Sequence, residues 1–316
     1  MKQVEFKYHA DSNTGLKRKN NEDAFGNVQT KYGNVFIVCD GMGGHAAGEQ
    51  ASQIAVSIIG EYLTNSESQD IPNEIDQAIQ HANKSIWEEA LHNPSLKGMG
   101  TTCVVLYLTN KGEVYIGHVG DSRCYIYSNN EFKTLTKDHS YVQFLHDVGE
   151  LSEEQAFDHP NKNRILKALG IEDEVSPEVT KSPLKPNENT LFLLCTDGLN
   201  DMLKDNEIKG CLDLNKPLEE QVEKLIDEAL KKGGKDNVTV GLLHIESNPF
   251  YSKSKSKDET LINQNQSVKS KRDNTKKLIF AILFLLLIAV SYFLLRPNEL
   301  KDTDEREPTV QDTIVE

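Results

Sequence analysis

Short apolar segments separated by turn residues dominate roughly the first 247 residues of the chain. They are rich in β-branched and aromatic side chains, which is typical of buried β-strands. Asn110, Lys111 and Gly112 lie between two of these segments and predict a hairpin. We predict strands at residues 34–39, 102–108, 113–119, 123–127, 190–195 and 238–245.

Three longer segments have the spacing of amphipathic helices. Apolar residues recur three or four positions apart in 49–63, 75–91 and 218–232, which predicts one buried face on each helix. The strands do not alternate one for one with these helices, so a doubly wound parallel sheet is not indicated. We therefore predict antiparallel sheets covered by a few long helices.

A different pattern occupies residues 278–295, which read LIFAILFLLLIAVSYFLL and contain no charge over 18 positions. As a helix this segment would be about 27 Å long, close to the thickness of the hydrocarbon core of a bilayer. It is apolar all round and is bracketed by Lys276, Lys277 and Arg296. We predict a transmembrane helix here rather than a buried core helix.

The flanks of this segment differ in charge. Residues 248–277 are polar and lack periodicity, which is typical of a flexible linker, and residues 253–277 carry a net charge of +5. The tail at 296–316 carries a net charge of −4. Because basic residues favour the cytoplasmic side, we expect a single-pass protein of the cell membrane. Its large N-terminal domain, 1–247, would be cytoplasmic and its acidic tail external.

Composition narrows the classes of function. The whole chain has a formal net charge of −14, so the linker and tail charges leave −15 on residues 1–252. An acidic domain is not suited to nonspecific nucleic-acid binding, but it is compatible with sites for divalent cations. The five cysteines are scattered and form no CxxC pair, which predicts reduced thiols rather than disulfides or a zinc site.

Acidic residues recur where predicted strands meet loops. Carboxylates that converge at one sheet edge would repel one another unless cations neutralise them, and Mg²⁺ and Mn²⁺ prefer carboxylate, carbonyl and water oxygens. The pattern therefore predicts a centre for hard divalent cations. Its candidate acids are Glu22, Asp23, Asp40, Asp121, Asp197 and Asp236.

Two further residues extend this prediction. Gly41 follows Asp40 and has no Cβ, so its backbone carbonyl can approach a metal closely. Arg18 precedes the first acids, and a guanidinium presents paired donors that fit phosphate oxygens. Two metals about 3.5–4 Å apart can activate a water for in-line attack on phosphorus. These residues together predict hydrolysis of a phosphate ester.

Seven blocks in this order resemble the signature of the metal-dependent protein phosphatase 2C family in its bacterial form. The resemblance covers roughly residues 6–246 and implies an α+β fold, with a central antiparallel β-sandwich flanked by α-helices on both faces. It also implies hydrolysis of phosphoserine and phosphothreonine in proteins with Mn²⁺ or Mg²⁺. The blocks are GLKRKNNEDAFG, VCDGMGGHAAGEQAS, GHVGDSRCYIY, LTKDHS, NRILKALG, LLCTDGLND and GGKDNVTV.

The resemblance also implies a role for each candidate. Two core ions would share Asp40, and a third ion would lie at Asp121 together with Asp197. Residues 141–165 match the variable flap beside the active site, and Asn237 would orient Asp236 or a water. The remaining roles are one carbonyl ligand from Gly41, further ligands from Asp197 and Asp236, acids that hold metal-bound waters at Glu22 and Asp23, and phosphate binding by Arg18.

The general acid has two candidate residues in this sequence. Eukaryotic members of the family carry a histidine directly after the Asp-Gly pair, where this chain has Met42. The bacterial pattern places a histidine at His45, which is a candidate to protonate the leaving group. His45 has two alternative roles. It could cap the next helix, which we expect to begin near Gly48, or it could bond to a loop carbonyl. We read Asp138, His139 and Ser140 as structural first, with His139 a second candidate.

We therefore expect a monomeric, membrane-tethered Ser/Thr phosphatase that binds no nucleic acid. Its expected partners are phosphorylated proteins, including a membrane Ser/Thr kinase and its substrates. Two alternatives remain. One is a non-catalytic adaptor for phosphoproteins, which would be expected to have lost metal ligands. The other is a phosphatase for a small phosphorylated regulator such as an anti-sigma-factor antagonist.

Overall fold

A computed structural model describes residues 3–43 and 46–251 of the chain. His45, most of the predicted linker, the predicted transmembrane segment 278–295 and the tail 296–316 lie outside the described residues. Within the described ranges, no helix is both long and apolar enough to cross a membrane.

The strands in the described part of the chain are β1 (Glu5–Asn13), β2 (Asp23–Gln29), β3 (Gly33–Met42), β4 (Gly100–Thr101), β5 (Cys103–Thr109), β6 (Val114–Val119), β7 (Arg123–Ser128), β8 (Glu131–Thr134), β9 (Glu178–Val179), β10 (Thr190–Cys195) and β11 (Val238–Ser247). The helices are α1 (Ala46–Asn65), α2 (Ile71–His92), α3 (Tyr141–Asp147), α4 (Glu153–Phe157), α5 (Asp197–Asn200), α6 (Asp205–Cys211) and α7 (Leu218–Lys231). A short 3-10 helix spans Pro94–Leu96.

The strands form two sheets whose ladders are all antiparallel. The first sheet has the order β1-β11-β10-β7-β8, and the second has the order β2-β3-β5-β6-β9 with β4 added to β3. Strands β5 and β6 form the hairpin that the sequence predicted around Gly112. The prediction of antiparallel sheets in place of a doubly wound parallel sheet is confirmed.

The two sheets and the helices outside them make four layers. Residues of β3 alternate between the core under the helices and the core between the sheets, which explains why this strand is apolar at successive positions. Helices α1 and α2 pack on the second sheet, and α7 packs on the first. The core between the sheets includes Phe36, Val38, Leu106, Phe192, Leu194 and Leu243.

Several elements differ from the sequence prediction, among them two strands and the starts of two helices. Strands β1 and β2 were not predicted, because both alternate between exposed and half-buried residues and lack a continuous apolar run. Helix α2 begins four residues before the predicted start, after Asp70, whose side chain caps the helix. Helix α1 begins at Ala46 rather than near Gly48.

Candidate metal centre and active site

The acidic residues of the two sheets meet at one edge of the sandwich. Asp23 and Asp40 lie directly opposite each other in the register of β2 and β3. Asp197 begins α5 at the end of β10, and Asp236 lies just before β11. Strand ends therefore position each carboxylate, as the sequence predicted.

Two threonines connect Asp23 to the other sheet. The hydroxyl of Thr196 lies 2.9 Å from Asp23 Oδ2, and the hydroxyl of Thr239 lies 2.6 Å from the same oxygen. Both hydroxyls donate to the carboxylate, so they fix one oxygen of Asp23 across the gap between the sheets. Sequence reasoning missed both threonines, although each is a polar residue at the end of an apolar strand.

The carboxylates perturb one another strongly. Burial raises the pKa of Asp40 well above its usual range, and the nearby Asp23 and Asp197 raise this pKa further. The pKa of Asp197 is raised in the same way, by burial and then by Asp121. Burial also raises the pKa values of Asp23 and Asp121 to about 7. Burial is the largest cause in each case, and the charges of neighbouring carboxylates add to it.

The donor set fits hard divalent cations. Asp23, Asp121 and Asp197 each have a buried carboxylate oxygen, Oδ1, without a hydrogen-bond partner in the protein. Buried carboxylate oxygens need a compensating charge or donor. Oxygen ligands that repel one another are what Mn²⁺ and Mg²⁺ neutralise.

Gly41 lies where no side chain could fit. A Cβ at this position would be 2.1 Å from the carbonyl oxygen of Gly48 and 2.5 Å from that of Glu22. The N–H of Gly41 donates to the Glu22 carbonyl at 3.1 Å. The backbone after Asp40 is therefore packed directly against α1 and the Glu22 segment. Only glycine, which has no Cβ, allows the two backbones to come this close.

Arg18 lies beside the carboxylates on the solvent side. Its Nη2 donates to Asp236 Oδ2 at 2.7 Å, and its side chain is 51% exposed. Because a guanidinium has five donors, this bond leaves others free to contact a phosphate. The backbone N–H of Asn237 donates to the second oxygen of Asp236 at 2.9 Å.

Asp121 and Asp197 line a cavity of about 590 Å³. One wall consists of α3 and α4, which belong to the predicted flap segment 141–165. Lys162 joins the flap to the residue that follows α5, because its Nζ lies 3.1 Å from Asp201 Oδ2 and donates to the Asp201 carbonyl. The cavity therefore opens from the carboxylates toward the flap.

Asp138 and His139 both make contacts within the protein that hold neighbouring segments in place. Asp138 accepts two bonds from Arg123, at 2.9 and 2.7 Å. His139 holds the turn before Asp121, because its backbone N–H donates to the Gly120 carbonyl and its Nδ1 accepts from the Gly120 N–H. None of these contacts supports His139 as the general acid.

His118, His139 and Glu178 bring three ligand-type atoms within 4.8 Å of one another. The two imidazole rings are stacked with planes only 19° apart. An imidazole binds a metal in the plane of its ring, so two nearly parallel rings cannot both hold one ion without rotating. His118 Nε2 also lies 2.8 Å from the Lys137 carbonyl. This cluster shares no residue with the carboxylate centre.

The four-layer fold and the carboxylate centre at its edge define a metal-dependent phosphohydrolase. Comparison with known proteins agrees, because residues 16–236 match the family described as Protein phosphatase 2C. The chain is 38% identical over 242 residues to the "Serine/threonine phosphatase stp" of Listeria welshimeri, covering 74% of this chain and 95% of that protein. It therefore belongs to the protein phosphatase 2C family and is a protein-serine/threonine phosphatase.

Solved structures give the same result. The Mycobacterium tuberculosis serine/threonine phosphatase PstP matches with a TM-score of 0.70 and 35% identity, covering 76% of this chain and 99% of that one. The catalytic domain of PstP in complex with two manganese ions matches with a TM-score of 0.66 and 34% identity, covering 76% and 97%. The cofactor of this chain is accordingly Mn²⁺ or Mg²⁺.

Proposed function

We propose that this chain is a membrane-tethered phosphatase of phosphoserine and phosphothreonine proteins, with a binuclear metal centre and a cytoplasmic catalytic domain. The observation that supports the catalytic part is the convergence of carboxylates from both sheets beside Arg18. In this proposal residues 1–247 form the catalytic domain, 248–277 the linker, 278–295 the transmembrane helix and 296–316 the external tail.

The residues have separate tasks in this mechanism. Asp40, Asp197, Asp236 and the Gly41 carbonyl would hold the two ions, and Asp121 with Asp197 would hold a third. When bound, such ions activate water and stabilise charge on phosphoryl oxygens.

The remaining tasks fall to residues around the centre. Arg18 binds and orients the phosphoryl group through its free donors. Glu22 and the unpartnered oxygen of Asp23 orient water at the edge of the centre. His45 remains the candidate that donates a proton to the leaving oxygen.

Phosphate release from phosphothreonine and phosphoserine peptides by the full-length chain tests this activity. We expect release that requires Mn²⁺ or Mg²⁺ and stops when EDTA is added. Saturable peptide binding at high Mn²⁺ without any turnover would support the adaptor alternative instead. A small phosphorylated regulator as the substrate would be recognised by comparing phosphoproteomes of cells with and without the gene.

The tether gives a separate prediction. Deleting residues 278–316 should move the protein from the membrane fraction to the soluble fraction, because the charge-free segment is removed. Deleting only 297–316 is the matched control and should leave the protein in the membrane fraction. If both truncated chains fractionate like the full-length chain, residues 278–295 do not anchor it.

The tether also bears on substrates. A phosphatase held at the membrane meets phosphoproteins there at a raised local concentration. We therefore propose that its substrates include a membrane Ser/Thr kinase or proteins that such a kinase phosphorylates. The support for this partner is the predicted location of the catalytic domain.

A further inference from the structure

The side chain of Asn237 is buried and makes three hydrogen bonds to one loop. Its Nδ2 donates to the carbonyls of Thr14 and Asn20, at 2.8 and 2.9 Å. Its Oδ1 accepts from the N–H of Glu22 at 2.8 Å. These three points bracket Arg18 on both sides, and Asn237 is only 4% exposed. One amide therefore holds the ends of the loop that carries Arg18.

The same loop is docked independently on the residues before Asn237. The N–H of Leu16 donates to the carbonyl of Gly234 at 2.7 Å. Gly15 has a φ of +78°, and a Cβ there would be 2.1 Å from the Asp236 carbonyl. The backbone of this loop is thus packed against segment 234–237 with no space for a side chain at Gly15.

The contacts of Asn237 continue into the metal centre. The Glu22 N–H bonds to Asn237, and the Glu22 carbonyl in turn accepts from the N–H of Gly41. On the other side, the backbone of Asn237 bonds to Asp236, whose second oxygen pairs with Arg18. Asn237 therefore connects the loop of Arg18 to a proposed ligand on each side of the centre.

We propose that Asn237 is a positioning residue that sets the place of Arg18, and so of the bound phosphoryl group, relative to the metal centre. It acts through Arg18 and Glu22, since its side-chain amide is fully engaged by the loop. This role goes beyond orienting Asp236 and rests on the proposed role of Arg18 in phosphate binding.

Two other buried asparagines provide matched controls. Asn248 donates to the carbonyls of Gly112 and Pro186 and accepts from the N–H of Phe250. Asn83 makes the same pattern of bonds with residues 170, 172 and 173. Both are at most 3% exposed, and neither bonds to the loop of Arg18. Replacing any of the three by alanine leaves a similar set of buried backbone groups unpaired.

The experiment compares Asn237→Ala and Asn237→Ser with Asn248→Ala and Asn83→Ala in the full-length chain. Thermal unfolding and Mn²⁺-dependent phosphatase kinetics are measured for each, with inorganic phosphate as a competing ligand. We expect the alanine variants to lower Tm by similar amounts. Only the Asn237 variants should lose about 10- to 100-fold in kcat/KM, as residues that orient metal-site groups do. They should also require a higher concentration of inorganic phosphate for inhibition.

A double-mutant cycle shows whether Asn237 affects activity through Arg18. If Asn237 acts mainly through Arg18, Asn237→Ala should cost less than about threefold further activity in an Arg18→Ala background, because coupled sites are not additive. Equal losses of kcat/KM in the Asn237 and Asn248 variants would overturn the inference, as would unchanged phosphate inhibition. If Arg18→Ala itself has no effect on turnover or phosphate inhibition, the proposed role of Arg18 is wrong instead.

Discussion

Replacement of Asp40 by asparagine is expected to reduce kcat/KM by about 10³-fold or more. Metal ions supply several kcal/mol of transition-state stabilisation in hydrolases of this kind, and about 1.4 kcal/mol corresponds to tenfold in rate. Asn keeps the size and one oxygen of the side chain but removes the charge that the cations need. The measurement is Mn²⁺-dependent hydrolysis of a phosphothreonine peptide across a range of Mn²⁺ concentrations.

The same substitution should not weaken the metal-free fold. Asp40 lies among Asp23, Asp121, Asp197 and Asp236, all of which oppose its ionisation. Asn cannot ionise, so neither the burial of a charge nor that repulsion can arise at this position, and the Tm of Asp40→Asn in EDTA should equal or exceed that of the wild type. This combination of lost activity and retained stability separates a ligand from a residue needed for folding.

Asp11→Asn is a matched control, because Asp11 is an exposed carboxylate on β1. It should leave both kcat/KM and its Mn²⁺ dependence unchanged. Wild-type turnover by Asp40→Asn at low Mn²⁺ would show that Asp40 is not a shared ligand and would contradict the mechanism.

The sequence was informative about this centre because strands β3, β10 and β11 are buried on both faces. Their continuous apolar runs stand out, and so do Asp40 and Asp197, the carboxylates that follow two of them. Strand ends of one sandwich edge are rigidly placed, which is why acids so far apart in the chain could be predicted to converge. Strands β1 and β2 escaped prediction because only one face of each is covered.

The contacts that hold the centre together could not be predicted in the same way. The hydroxyls of Thr196 and Thr239 reach Asp23 only because the two sheets are stacked in one particular relative position. Likewise, Asn237 and its partners in the loop of Arg18 are more than 200 positions apart. Such bonds depend on how layers pack, and no local pattern of residues encodes that arrangement.

Without metal, the stability of the catalytic domain should rise when the pH is lowered from 8.0 to 7.0. The pKa values of Asp23 and Asp121 are raised by burial to about 7, against about 3.9 for an unfolded aspartate. The folded state then binds more protons than the unfolded state throughout this window. Each group therefore stabilises fully below pH 4 and loses that contribution as the pH rises through about 7. Asp40 and Asp197, with pKa values raised well above their usual range, act in the same direction.

The predicted rise in stability is limited to pH values above 7.0, because histidines act in the opposite direction at lower pH. Burial lowers the pKa values of His139 and His244, so these groups stabilise above their unfolded pKa of about 6.5 and oppose the trend below it. Thermal unfolding in EDTA at pH 7.0 and 8.0 gives the measurement. A lower Tm at pH 7.0 than at pH 8.0 would contradict the raised pKa values of the carboxylates.

Manganese should reverse this dependence. Cations bind the deprotonated carboxylates, so the rise in Tm on adding Mn²⁺ should be larger at pH 8.0 than at pH 7.0. At a free concentration of about 100 Kd the added stability is about 2.7 kcal/mol, or roughly 5–10 °C for a domain of this size. Asp40→Asn should lose most of the Mn²⁺-induced rise, whereas Asp11→Asn should keep it. A rise that is independent of pH, or equal in both variants, would mean that Mn²⁺ stabilises the protein at a site other than these carboxylates.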